Sequence, residues 1–145
     1  MSNRFFRIRK IARLVLSVAV ISIAWTACTG EKTNISDLKL CKSIEKSGCK
    51  FDSHSFDSSQ PLIYCSFVIH NAKTTSDVKI AWHYQGDRRV LIKDTLFRIK
   101  ANAPKIQFQS SLNKPLNGWP RGIYEVEISL EEEKLVSVVK SFSIK

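Results

Sequence analysis

The chain has 145 residues, enough for one domain of ordinary size with a single buried core, so no second domain is needed. Its formal charge of +10 suggests nucleic acid or an acidic membrane at first sight, but Arg4, Arg7, Arg9, Lys10 and Arg13 all precede residue 28, whereas every acidic side chain follows it. From residue 28 onward the excess is only five positive charges, ordinary for a domain in water, which argues against nucleic acid as a partner.

The first 27 residues have the order of an export signal: a basic stretch from Arg4 to Arg13, an apolar run from Leu14 to Ala27, then small residues. The run is shorter than the ~20 residues that cross a bilayer as a helix, so cleavage is expected rather than a permanent anchor. An uncleaved signal anchor is the alternative, since Phe5, Phe6, Ile8 and Ile11 extend the apolar surface. The run ends in Ala24-Trp25-Thr26-Ala27-Cys28, which resembles a bacterial lipobox, matching at Thr26 and Ala27 and departing from it at Trp25. The resemblance implies that Cys28 carries lipid, that residues 1–27 are removed, and that the protein is held in the bacterial cell envelope. Thr29, where an aspartate retains lipoproteins in the inner membrane of many double-membrane bacteria, points to the outer membrane. Non-lipidated secretion by cleavage after Ala24 is a further alternative.

Residues 28–34 are polar and read as a tether. From Ile35 to Lys145 apolar alternation is separated by turn residues and no helical period is sustained, so the expected fold class is all-β, with about seven strands after an N-terminal signal helix. Leu38, Leu40 and Ile44 mark a first strand; Ile63, Cys65, Phe67 and Ile69 form one face of a second. Val78, Ile80, Trp82 and Tyr84 share a face, with Lys79 and His83 opposite. Val90 to Lys100 holds one long or two short strands, and Lys105 to Ser110 another. Tyr124, Val126, Ile128 and Leu130 face inward in a further strand, with Glu125 and Glu127 outward. The last strand, Leu135 to Ile144, has Lys140 among its inward positions, as edge protection or as the mark of a bulge.

The segment Gly118-Trp119-Pro120-Arg121-Gly122-Ile123-Tyr124-Glu125-Val126 resembles the Gly-Trp-Pro-x-Gly-x-Tyr-x-Val signature of bacterial immunoglobulin-like modules in exported proteins and lipoproteins. Leu40-Cys41-Lys42-Ser43 and Ala81-Trp82-His83-Tyr84 extend the likeness over residues 35–145. It implies an immunoglobulin-like β-sandwich with Cys65 on strand B, Trp82 buried on strand C and Tyr124 at a tyrosine corner entering strand F; Val126 stands where such a domain has its second cysteine. Without the resemblance, Trp119 closing one end of the sandwich explains the segment, and an exposed Trp119 serving as a ligand platform is the functional alternative.

With Cys28 assigned to lipid, three cysteines remain. Cys65 belongs to an inward face and Cys41 to the opposite one, while Cys41 and Cys49 flank a short polar stretch, so a Cys41–Cys49 disulfide is expected, with Cys65 an inert buried thiol. His54, His70 and His83 lack the spacing that sets imidazoles on one metal and read as solvated. Glu131 to Glu133 read as a solvated turn, and Arg88-Arg89 as a turn that, with Lys93, could form a small anion-attracting patch. No phosphate loop, Gly-x-Ser-x-Gly elbow, His-Glu-x-x-His helix or Cys-x-x-Cys pair is present, so neither enzyme nor cofactor is expected.

Three functions are consistent with this reading. A non-catalytic interaction module would meet an envelope or host protein or a glycan through an exposed apolar patch. An assembly accessory would offer an open edge strand. A small hydrolase or metal-binding protein would need a concave polar cluster.

Overall fold

The computed structural model describes residues 31–131 and 136–145; the signal, residues 1–27, and Cys28 lie outside the described residues. Eight strands follow in chain order: β1 (Asn34–Cys41), β2 (Ser55–Phe56), β3 (Leu62–Ala72), β4 (Asp77–Gln85), β5 (Arg89–Arg98), β6 (Ala103–Asn113), β7 (Gly122–Glu131) and β8 (Val136–Ile144). They form a three-stranded sheet, β1-β3-β6, and a five-stranded sheet, β2-β8-β7-β4-β5. All pairings are antiparallel except that of β2 with β8, which is parallel. The two sheets face one another as a β-sandwich.

The period-2 faces read from the sequence build the core. Ile63, Cys65, Phe67 and Ile69 of β3 oppose Val78, Ile80 and Trp82 of β4 and Tyr124, Val126, Ile128 and Leu130 of β7, all buried between the sheets. Trp82 meets Phe142 edge-on at 6.1 Å, and Phe142 stacks on Tyr124 at 5.4 Å, so one aromatic column links β4, β8 and β7.

Three boundaries differ from the sequence reading. The eighth strand is β2, whose two residues are too few to show alternation. Ile44 lies beyond β1, in the segment that leads to β2. The packed structure begins just before residue 35: Thr33 is buried and its hydroxyl donates to the Asn71 carbonyl at 2.9 Å. Asp37, with φ of 53°, marks an irregularity in the β1–β3 ladder between Ser36 and Lys39.

Candidate interaction surface

The residues singled out in the sequence occupy three separate places. Trp82 lies at the centre of the core, with no exposed surface, and its indole N–H points to the Ser110 hydroxyl at 3.5 Å. Trp119 and Tyr124 close one end together. The Tyr124 hydroxyl donates to the Pro120 carbonyl at 2.7 Å, which is the geometry of a tyrosine corner, and the Trp119 N–H donates to the Gln60 carbonyl at 2.6 Å. Burial, followed by the neighbouring Tyr84, pushes the Tyr124 hydroxyl up to about 12. Gly122, with φ of 143°, lets the chain pass the Tyr84 ring, which a Cβ there would meet at 3.1 Å. Trp119 is only 6% exposed with its N–H occupied, so it is a plug and not a platform.

The sulfurs of Cys41 and Cys49 are bonded at 2.08 Å, on the outer side of the three-stranded sheet. Cys65 faces the other way, fully buried, and burial pushes its thiol up to about 12. A thiol so protonated and enclosed is no nucleophile.

Lys140 lies in a β7–β8 register that runs without a shift, so it marks no bulge. Its ammonium crosses to the other sheet, donating to the Leu38 carbonyl at 3.0 Å and pairing with Asp52. Burial alone would raise the Asp52 carboxyl, but hydrogen bonds from Lys140 and from the Leu40 N–H, together with the charges of Lys140 and His54, hold it below the usual value.

The outer face of the five-stranded sheet departs most from expectation. Arg89, on β5, reaches across β4 to bond Glu125 at 3.1 Å and Glu127 at 2.7 Å, both on β7. His83, on β4 opposite Glu125, lies beneath this bridge and is 9% exposed, so it is not a solvated histidine. Its Nδ1 is buried without a hydrogen-bond partner among the described residues. Burial, and then the Arg89 charge, lower its pKa below the usual histidine value despite Glu127 and Glu125. Arg89 and Lys93 do not form an anion patch either, because Lys93 points to the opposite face and donates to the Ser111 carbonyl at 2.8 Å. Of the other histidines, His70 bonds the Ser36 hydroxyl at 2.9 Å and His54 lies 3.5 Å from Asp52. Among the described residues no three His, Cys, Asp or Glu side chains are grouped to hold a metal ion.

What remains open is β5. It ends the five-stranded sheet, pairs among the described residues with β4 alone, and nine of its ten residues are exposed. Leu91 (50% exposed) and Leu96 (60%) lie on its outer face, Val90 and Phe97 on its inner face, and Ile92 is an extra residue at a bulge between them. Phe97 rests 6.1 Å from Phe108 of β6, at the seam between the sheets. The sequence reading placed a strand here and missed its character. The signal was available in the consecutive apolar residues Val90-Leu91-Ile92 and Leu96-Phe97, which cannot all face one core in a strand.

No protein-family model matches the chain, and no curated protein shows significant similarity to it.

Proposed function

We propose that this is a lipid-anchored, non-catalytic interaction module of the bacterial cell envelope, and that β5 is its working surface. The observation that carries the reading is the contrast between buried chemistry and exposed apolar edge. Cys65 is enclosed, His83 is covered, and Arg89, Glu125 and Glu127 satisfy one another, whereas Val90, Leu91, Ile92, Leu96 and Phe97 face solvent along one strand. A long exposed apolar edge offers unpaired backbone groups as well as side-chain contacts, the two components of strand addition.

Anchoring supports the same surface. Asn34 pairs with His70, so the chain enters at the end that carries the β3–β4 connection, and Cys28 is only six residues away, a reach of about 20 Å. A lipid on Cys28 would hold that end against the membrane, shading the β3–β4 connection. The side of the sandwich stays accessible. Acyl chains contribute about 0.8 kcal/mol per buried CH₂, so two or more make a lasting tether.

Two measurements test the reading. Cys28→Ser should leave an uncleaved precursor without acyl label, and normal processing of that variant would end the lipid claim. A photoreactive residue at position 96 of the full-length chain should give a protein adduct in the envelope, and one at Val139, exposed on the same outer face three strands away, should give far less. Equal or absent adducts at both positions would refute β5 as the working surface.

A further inference from the structure

We infer that the partner fitting β5 is a second copy of this chain, paired antiparallel, β5 to β5, about a twofold axis. The inference rests on the reading of β5 as the working surface and adds what occupies it.

The outer three residues at each end of β5 match in chemical kind: Arg89 with Arg98, Val90 with Phe97, Leu91 with Leu96. Antiparallel pairing of two copies sets these partners opposite each other, which is the self-complementarity that a twofold interface requires. In a regular strand the reading would fail. Partners an odd number of positions apart point to opposite faces, whereas residues opposite one another across an antiparallel pair must share a face.

The bulge removes the conflict. Leu91 pairs with His83 and Lys93 with Trp82, leaving Ile92 unmatched and reversing the alternation midway. Arg89, Leu91, Leu96 and Arg98 therefore share the outer face, paired with Gln85, His83, Lys79 and Asp77, while Val90 and Phe97 share the inner face, paired with Tyr84 and Val78. Leucine meets leucine outside and valine meets phenylalanine inside.

The same bulge discriminates against other strands. A regular strand laid on β5 loses register at Ile92, and Lys93 on the inner face opposes generic pairing, as inward charges on edges do. A second copy brings its own bulge, which falls between Thr95 and Leu96 of the first strand, so the two one-residue shifts cancel and Leu96 meets Leu91 again. The charges of β5 are each engaged within their own domain: Arg89 by Glu125 and Glu127, Arg98 by Asp77 at 2.9 Å, Asp94 by Lys79 at 3.8 Å, and Lys93 by the Ser111 carbonyl.

The test uses full-length chains carrying Leu91→Cys or Leu96→Cys, differently tagged, made together and oxidised in the envelope. In the inferred register residue 91 opposes residue 96 of the other copy, within the ~4.4–6.8 Å between Cα atoms that a disulfide spans. Two residues 91 lie five positions apart, about 17 Å, and cannot join. The mixed disulfide should exceed either like-with-like product several-fold, and protection of Cys65 from thiol reagents should report that both variants fold. No mixed product, or like-with-like products in equal yield, would overturn the inference. The photoreactive residue at position 96 separates the two readings: an adduct with a different protein overturns the second copy and keeps β5 as a working surface, whereas no adduct overturns both.

Discussion

The two lateral sides of the sandwich are built from similar parts and finished differently. On each, a lysine from the five-stranded sheet crosses the seam to a carbonyl of the other sheet, Lys140 to Leu38 and Lys93 to Ser111. On the β1–β8 side the lysine also pairs with Asp52, the sheet edge is a two-residue strand, and the segment from Lys42 to His54 is tied down by the Cys41–Cys49 disulfide. On the β5–β6 side the edge is ten residues long and apolar on both faces. Short edges and covering segments are how proteins prevent unwanted strand pairing. This chain applies them to one side and withholds them from the other, so the open side is a matter of placement and not a general looseness of the fold.

Substitutions can break or sharpen that contrast. The shared core sets the scale: Trp82→Ala should cost about 3–5 kcal/mol in urea unfolding of a soluble form that begins after Cys28. On the closed side, replacing both Cys41 and Cys49 by serine should cost about 2.5 kcal/mol, the loop-closure value for so short a loop. Lys140→Met should cost about 1–2 kcal/mol by the same assay, because it strands Asp52 and the Leu38 carbonyl. On the open side, Leu91→Lys and Leu96→Lys should each change monomer stability by less than about 0.5 kcal/mol. A large loss there would mean that β5 belongs to the core and not to an interface.

The pH dependence of unfolding separates two further contributions. His83 has a lowered pKa in the folded state, so the unfolded chain binds the proton first as pH falls. Stability should therefore be full above the ordinary histidine value near 6.5, decline below it, and level off once the folded state is also protonated. His83→Gln should flatten that limb. The carboxyl of Asp52 is lowered too, and its contribution is present above the ordinary value of 3.8 and lost as pH falls through its folded value. Asp52→Asn should remove only this more acidic limb, and a change near pH 6 in that variant would contradict the assignment.

Much of the fold was legible because strands buried on one face announce themselves by alternation, as β3, β4 and β7 do. Distant pairings were not. His83 alternates outward with Lys79, yet it is covered because Arg89 reaches over it to carboxylates 36 and 38 positions away in sequence. Lys140 interrupts an apolar face for a reason 88 positions upstream, at Asp52. The candidate surface was hidden differently: the bulge at Ile92 mixes the two alternations of β5, so the run from Val90 to Lys100 read as one strand or two, and only the ladder with β4 shows where the phase changes.

The end at which the chain enters has a geometric consequence for any β5-to-β5 pair. Antiparallel copies lie head to foot, so the ends at which their chains enter point in opposite directions, separated by the ~34 Å length of a ten-residue strand. If Cys28 carries the proposed lipid, such a pair cannot stand upright on one membrane: it would lie along the surface with both anchors in the same leaflet, or span a gap with one anchor in each of two facing membranes, and the length of the six residues after Cys28 would decide how far either arrangement can stretch.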